Sequence, residues 1–182
     1  MSHPAEQFFP GAPAQAKPEL LHFQWQTGRI TIEELRSYLL PVWGQCQSPH
    51  AYLSDDKWRE MFDATGFTHN GQPATPPTEV VLYRAAPKEW RECWSWTTHL
   101  QVAQVFQQWH HTDTSSIWTI TAPADALLAA WSNWQLPSFG ATEYVADPTG
   151  LHITEFAPPP TRPAIRRWPT AGPAASLHSL GR

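Results

Sequence analysis

Cysteine and glycine are scarce in this sequence, and neither forms a motif. The 182 residues contain two cysteines, Cys46 and Cys93, and nine glycines. Two cysteines cannot build the disulfide framework of a small secreted domain, so we expect two free, buried thiols, although a single bridge between them is geometrically allowed. The glycines form no phosphate-binding loop and no nucleophile elbow, which leaves phosphate-loop and activated-serine chemistry without local support.

Long apolar runs are absent as well. No stretch approaches the roughly 18 apolar residues of a membrane span, and the N-terminus lacks the basic segment and apolar core of a secretory signal. We therefore expect a cytoplasmic protein without a membrane partner. Delivery as an effector without a signal peptide stays open, because it leaves no trace in the sequence.

Basic residues are few and unevenly placed. Lys and Arg number 12 against 16 Asp and Glu, and no acidic residue follows Glu155, whereas four arginines do. The body is thus too acidic to be a general binder of nucleic acid, which requires clustered positive charge against phosphates. Only the C-terminal tail offers that attraction.

Aromatic residues are plentiful, with 11 Trp in a chain that is 41% hydrophobic, and this predicts one globular domain with a substantial core. Composition divides the chain into four parts. We expect a flexible lead-in over 1–16, a helical subdomain over 17–77, a core of strands over 78–157 and a Pro- and Arg-rich tail over 158–182.

Periodicity predicts the elements within these parts. Helices are expected over residues 19–25, from a capping box of Thr31 and Glu34, and from Ser54 to a stop at Gly66. Strands are expected over 80–83, 94–98, 117–121, 143–146 and 151–156, with a helix over 102–109 and a short helix from Pro123 to Ala130. The predicted fold class is α+β.

Arg84 ends a strongly apolar strand, where a charge is costly to bury without a partner. Its planar guanidinium suits phosphate or carboxylate recognition. For this residue taken alone, an ordinary strand-end ion pair with Asp147 or Glu79 is the favoured explanation.

Ser95 lies between Trp94 and Trp96, so on a strand its side chain points away from both. Sheet pairing alone accounts for a serine here, and Thr98 is a candidate cap for the helix that starts at His99. Glu143 opens another apolar strand. It is either a solvent-facing residue at the start of that strand or a carboxylate placed to stabilise positive charge on a sugar.

Four short segments together carry a resemblance: residues 82–85 (Leu-Tyr-Arg-Ala), 95–98 (Ser-Trp-Thr-Thr), 103–106 and 142–148 (Thr-Glu-Tyr-Val-Ala-Asp-Pro). In order and spacing they resemble the Arg-Ser-Glu class of ADP-ribosyltransferase-like domains found in small bacterial and phage proteins. The resemblance covers about residues 79 to 156. It implies a split, mostly antiparallel sheet that binds NAD beside an N-terminal helical subdomain.

The resemblance also implies a role for each residue. Arg84 holds the NAD phosphates or the nicotinamide ribose, and the Ala85 backbone meets the carboxamide. Ser95 orients Glu143 with support from Thr97, and Glu143 binds the ribose 2′-hydroxyl and stabilises the charge that develops as nicotinamide leaves. Stacking against nicotinamide falls to one of three aromatic residues: Trp96, Tyr144 or Phe106.

One departure bears on the acceptor. Relatives that modify arginine carry Glu or Gln two residues before the catalytic Glu, where this chain has Ala141, so arginine is not the expected acceptor. The preceding loop holds Trp131, Trp134 and Phe139, which either contact a protein or nucleic-acid acceptor or, as we favour, anchor the loop to its own core.

Three functions fit these observations: transfer of ADP-ribose from NAD to an unknown macromolecule, hydrolysis of NAD, or NAD binding or protein interaction without catalysis. No metal is expected, because His99, His110 and His111 lack the spacing of ligands on one helical face.

Overall fold

Four helices form the first part of the protein in the computed structural model, which describes residues 9–46, 48–109, 115–132 and 142–157. Their bounds are α1 (Lys17–Gln26), α2 (Ile32–Gln45), α3 (Pro49–Tyr52) and α4 (Asp55–Thr65). None of the helices in these ranges is long and apolar enough to cross a membrane.

The predicted capping box at the start of α2 is confirmed. The Thr31 hydroxyl accepts a hydrogen bond from the Glu34 N–H at 3.2 Å, and the Glu34 carboxylate accepts one from the Thr31 N–H at 2.8 Å. Ser54 precedes α4 but makes no capping bond with its side chain. Gly66 ends α4 with a φ of +65°, a left-handed conformation that favours glycine.

Strands and one further helix make up the rest. The bounds are β1 (Thr68–His69), β2 (Gln72–Pro73), β3 (Glu79–Ala86), β4 (Ser95–Thr97), α5 (Leu100–Trp109), β5 (Ser116–Pro123), β6 (Leu127–Ser132), β7 (Thr142–Ala146) and β8 (Thr154–Glu155). The strands join in one sheet in the order β2-β1-β6-β7-β4-β3-β5-β8, and β1 with β6 is its parallel pair. The protein is therefore of the predicted α+β class, with a mostly antiparallel sheet.

The sheet is narrowest where β3 meets β4. The ladder between β3 and β5 runs from Glu79 to Ala86 without interruption, whereas β3 and β4 share the single registered pair Tyr83↔Thr97. Two half-sheets, β2-β1-β6-β7-β4 and β3-β5-β8, are thus joined through this one registered pair. Beyond that pair, the facing edges of β3 and β4 form no ladder, so side chains can lie between them. We call this part of the sheet the junction.

Two apolar clusters hold the sheet. The first joins the helices to one sheet face and buries Trp43, Trp58 and Phe62 with Ala129 and Val145. The second lies on the opposite face and contains Leu82, Trp96, Trp118, Ile120 and Ala146. Because the first cluster combines residues of α2, α4, β6 and β7, the helices and the sheet share one core.

The predicted short helix from Pro123 to Ala130 is wrong. Only residues 124–126 form a helical turn, and β6 follows, paired with β1 on one side and β7 on the other. Residues 127–130 are all buried. Alanine favours helix in isolation, but burial between two strands overrides that preference here.

Two predicted boundaries also differ from the structure. Residues 1–16 were expected to be a flexible lead-in, yet Phe9 is buried in the first cluster and residues 14–16 form a helical turn. The helical subdomain was expected to extend to residue 77, yet β1 and β2 lie before that point and belong to the sheet. Residues 1–8 and the predicted tail, 158–182, lie outside the described residues.

Both cysteines are free, as expected, but only one is buried. Cys46 is buried and Cys93 is half-buried. Burial raises the pKa of the Cys46 thiol to about 11, against a smaller opposing effect of Lys17. A thiol with so high a pKa is a poor nucleophile at neutral pH.

Candidate functional site

Arg84 lies near the end of β3, just past the narrow junction. Its Nε donates to the Trp90 carbonyl at 3.1 Å, and its Nη1 donates to the Ser95 carbonyl at 2.7 Å. Burial lowers the pKa of the guanidinium, and the neighbouring Cys93 sulfur opposes that effect. Arginine nevertheless stays charged at neutral pH.

The ion pair proposed from sequence for Arg84 is not formed. Asp147 pairs instead with Arg59 of α4, at 2.9 Å, and none of the acidic side chains in the described ranges pairs with Arg84. Backbone carbonyls carry partial rather than full negative charge. The guanidinium is therefore held in place while its positive charge stays uncompensated by a carboxylate.

Ser95 is the first residue of β4 and connects to the helical layer. Its Oγ accepts a hydrogen bond from the Trp43 indole Nε1 at 3.3 Å. Trp94 packs in the first cluster beside Trp43, and Trp96 packs in the second. The expected separation of Ser95 from both tryptophans thus holds for Trp96 alone, because Trp94 precedes the strand and is not bound by its alternation.

Glu143 lies in a row of side chains that crosses four strands. The registered pairs Tyr83↔Thr97, Thr97↔Glu143 and Glu143↔Trp131 place these four residues side by side on one sheet face. Ser95 lies two residues before Thr97 and so belongs to the same face. The structure therefore brings Ser95, Thr97 and Glu143 together.

The Arg84 side chain does not share the sheet face of Ser95, Thr97 and Glu143. It follows Tyr83 on β3, so strand alternation turns its side chain toward the opposite face. Its guanidinium reaches the Ser95 main chain at the start of β4, where the two half-sheets part. Arg84 therefore contacts the Ser95 main chain at the junction, whereas Glu143 lies on β7, two strands away from β3.

Burial raises the pKa of the Glu143 carboxyl to about 7, well above its ordinary value of 4.5. The side chain is half-buried, and the low polarity around it disfavours the charged form. Such a carboxyl changes its ionisation state near neutral pH. A strongly perturbed acid of this kind is more common at functional sites than on ordinary strands.

The hydroxyls of Thr97 and Thr98 have different partners. Thr97 Oγ1 accepts from the His99 N–H at 3.3 Å, at the start of α5, so Thr97 rather than Thr98 meets the beginning of that helix. Thr98 Oγ1 donates to the Thr142 carbonyl at 3.2 Å, next to Glu143 on β7. Through these hydrogen bonds, both hydroxyls hold backbone groups near Glu143 in position.

The predicted stacking residues differ in exposure. Trp96 is 2% exposed, and its Nε1 is buried without a hydrogen-bond partner. Tyr144 is half-buried and stacks on Phe67 at 6.4 Å between ring centroids, and Phe106 is half-buried on α5. Ala85 lies inside the ladder, registered with Ile117 of β5. Trp96 is thus a core residue, which leaves Tyr144 and Phe106 with accessible surface.

Trp131 is not in a loop, contrary to the sequence prediction. It lies near the end of β6, next to Glu143, and packs against the first cluster. Packing against the first cluster agrees with the anchoring role that the sequence analysis favoured for Trp131. Trp134, Phe139 and Ala141 lie outside the described residues.

Within the described ranges no group of three or more His, Cys, Asp or Glu side chains is arranged to hold a metal ion. His99 contacts the Thr98 hydroxyl at 2.8 Å through Nδ1. His110 and His111 are not among the described residues.

One open groove lies away from the junction. It has an empty volume of about 630 Å³ and runs between α4 and the start of β6, with Arg59, Phe67, Asp125 and Leu127 among its lining residues. Arg84, Ser95 and Glu143 do not line it. The groove is therefore a separate surface feature and carries no part of the site.

The sequence did not single out three residues that contact this site: Trp43, Trp90 and Cys93. Helical spacing offered a signal for Trp43, because it falls four residues after Leu39 on the buried side of α2. Trp90 ends a single helical turn (Lys88–Trp90) and Cys93 follows it before β4, and so short a segment has no periodicity that marks either residue.

Comparisons of the chain with protein-family models, with curated proteins and with solved structures give no match.

Proposed function

We propose that this protein is an ADP-ribosyltransferase-like enzyme that cleaves the bond between nicotinamide and ribose in NAD and transfers ADP-ribose to a macromolecular acceptor. The main support is that the three residues lie on neighbouring strands, with Arg84 bonded to the Ser95 carbonyl and Glu143 on the same sheet face as Ser95. Their strands, β3, β4 and β7, are neighbours in that order.

Each group has a chemical role in this proposal. Arg84 binds the NAD phosphates, since its fork of donors has no carboxylate partner among the residues that the structure describes. Glu143 in its ionised form binds the ribose 2′-hydroxyl and faces the positive charge that develops on the sugar. The C–N bond breaks with its electron pair going to the nicotinamide nitrogen. The acceptor then attacks the ribose carbon and loses its proton.

Replacement of Glu143 tests the catalytic role directly. Glu143→Gln keeps the size of the side chain but removes its negative charge, so nicotinamide release from NAD should fall by about 100- to 1,000-fold. Glu79→Gln is the matched control, because Glu79 is exposed on β3. Equal rates in Glu143→Gln and the parent, with no NAD binding by either, would refute the proposal.

The rate should also depend on pH. The ionised Glu143 is the active form and its pKa is raised to about 7, so nicotinamide release should increase as pH rises through 7 and level off above it. A pH profile of kcat/KM, which reports ionisation in the free protein, measures this. A rate that is constant from pH 5 to 9 would mean that another group limits the reaction.

Addition of cell lysate distinguishes a macromolecular acceptor of ADP-ribose from water. If nicotinamide release requires lysate and labelled ADP-ribose becomes attached to a macromolecule, the protein is a transferase. Release at the same rate in buffer alone identifies water as the acceptor, and the protein is then an NAD glycohydrolase with the same catalytic groups.

A further inference from the structure

We infer that the end of β3 and the segment that follows it bind a nucleoside diphosphate, with the phosphates held by Arg84 and Arg91 and the base stacked on Trp90. The binding site rests on contacts among the described residues. It rests on the proposed function for one point only, that the natural ligand is the ADP half of NAD.

Arg84 is a fixed guanidinium with donors to spare. An arginine side chain has five N–H groups, and two of those of Arg84 donate to the Trp90 and Ser95 carbonyls, at 3.1 and 2.7 Å. These bonds hold the planar group in one orientation, and no carboxylate in the described ranges pairs with it. The other N–H groups of a fork held in this way suit phosphate oxygens.

A second guanidinium lies on the same part of the sheet. Trp118 on β5 is the registered neighbour of Arg84, and the Arg91 Cζ lies over the Trp118 ring at 5.8 Å from its centroid. Directly registered side chains share a sheet face. The indole is itself fixed, because its Nε1 donates to the Ala86 carbonyl at 2.8 Å. One fixed indole thus brings Arg84 and Arg91 together.

The acid beside Arg91 is a weak competitor for its charge. Arg91 pairs with Glu92 at 3.2 Å, but the Glu92 side chain is 69% exposed, and exposed ion pairs contribute little free energy. Of the eight Lys and Arg that precede Glu155, three lie in this short stretch: Arg84, Lys88 and Arg91. Positive charge is thus concentrated here in an otherwise acidic body, which favours an anionic ligand.

Trp90 places an aromatic surface next to these cations. Its side chain is 58% exposed, more than that of the other exposed large apolar residues in the described ranges. Its carbonyl accepts hydrogen bonds from Arg84 Nε and from the Cys93 N–H, so the backbone is held while the ring meets solvent. Nucleobases stack on such rings whatever their identity. A base on Trp90 would therefore carry its phosphates toward Arg84, to which Trp90 is directly bonded.

Calorimetric titration with ADP and with inorganic pyrophosphate tests the stacking role. Trp90→Ala should raise the Kd for ADP by about 5- to 100-fold and leave the Kd for pyrophosphate unchanged, because only ADP carries a base. Trp90→Phe should recover most of the affinity for ADP. Phe23→Ala is the matched control, since Phe23 is 49% exposed on α1, and it should alter neither value. Equal losses for both ligands in Trp90→Ala would mean a disturbed turn and would overturn the stacking role.

Arg91→Gln tests the phosphate half of the site. It should raise the Kd for both ADP and pyrophosphate by roughly tenfold or more, and the remaining affinity should depend less on salt. Arg29→Gln is the matched control, because Arg29 lies over the Phe23 ring at 5.3 Å in a similar contact, and it should change neither Kd. A parent that binds neither ligand, or an Arg91→Gln variant that binds both as the parent does, would overturn the inference.

Kinetics with NAD distinguish this inference from the proposed function. Trp90→Ala should raise KM for NAD with little change in kcat, because the base stacks equally in the ground state and the transition state. If the parent binds ADP as described but does not cleave NAD, the proposed function fails and the binding site stands. If the parent cleaves NAD and Trp90→Ala changes neither KM nor the Kd for ADP, the stacking role fails alone.

Discussion

At the scale of single residues, the sequence identifies charged groups but not their partners. Arg84 was compatible with an ion pair to Asp147, yet Asp147 lies beside Arg59 of α4. Burial disfavours ionisation of Asp147, but hydrogen bonds from Thr149 and Arg59 outweigh it and lower the pKa of that carboxyl. With Asp147 occupied in this way, Arg84 bonds to the Trp90 and Ser95 carbonyls and has no carboxylate partner in the described ranges.

Glu143 should make the protein less stable as pH rises. Between its ordinary pKa of 4.5 and its folded pKa of about 7, the folded state binds a proton that the unfolded state has lost. This contribution is complete below pH 4.5 and is lost through pH 7. Glu143→Gln should therefore match the parent near pH 4 and exceed it at pH 8, by at most about 3 kcal/mol.

Urea denaturation at the two pH values measures this difference. Glu79→Gln, a change at an exposed position, should alter stability by the same small amount at both. A Glu143→Gln variant that is no more stable than the parent at pH 8 would contradict the burial of the carboxyl as the cause of its raised pKa.

At the scale of elements, local signals predicted those helices and strands that depend on local chemistry. The capping box of Thr31 and Glu34 starts α2, and the apolar run of residues 80–83 lies within β3. β6 was missed because its alanines take strand conformation only between β1 and β7. The hairpin of β1 and β2 was missed because two-residue strands have no periodicity to detect.

The two helix starts differ in a testable way. Thr31→Ala removes a capping bond and should lower stability by about 1 kcal/mol, or the melting temperature by roughly 2–4 °C. Ser54→Ala should have a smaller effect, since Ser54 makes no capping bond with its side chain. Thermal melting of both variants measures this, and equal losses would show that the Thr31 bond contributes nothing specific.

At the scale of the whole molecule, the helices and the sheet form one structure rather than a subdomain and a core. The first cluster places Trp43 and Phe62 of the helices against Leu128 and Val145 of the sheet. The ion pair between Arg59 and Asp147 spans the same boundary at 2.9 Å. Without either layer, the apolar residues that it covers on the other layer would be exposed to water.

Unfolding should therefore be a single cooperative event. Calorimetry of the full chain should show one transition whose calorimetric and van't Hoff enthalpies agree. A fragment of residues 67–157 should lack fixed tertiary structure and bind a hydrophobic dye, because its sheet face would be uncovered. Two separate transitions, or a fragment with a native near-UV spectrum, would show that the layers are independent.

The sequence by itself determined the fold class, the capping of α2 and most of the strands, and it predicted Arg84, Ser95 and Glu143 as candidate site residues. These features follow from alternation, helical periodicity and residue chemistry, which are local. Tertiary structure alone decided that β3, β4 and β7 are neighbours, that Arg84 bonds to backbone carbonyls rather than to Asp147 and that Trp43 contacts Ser95. Such contacts join residues distant in sequence, and only packing selects among the pairings that the sequence allows.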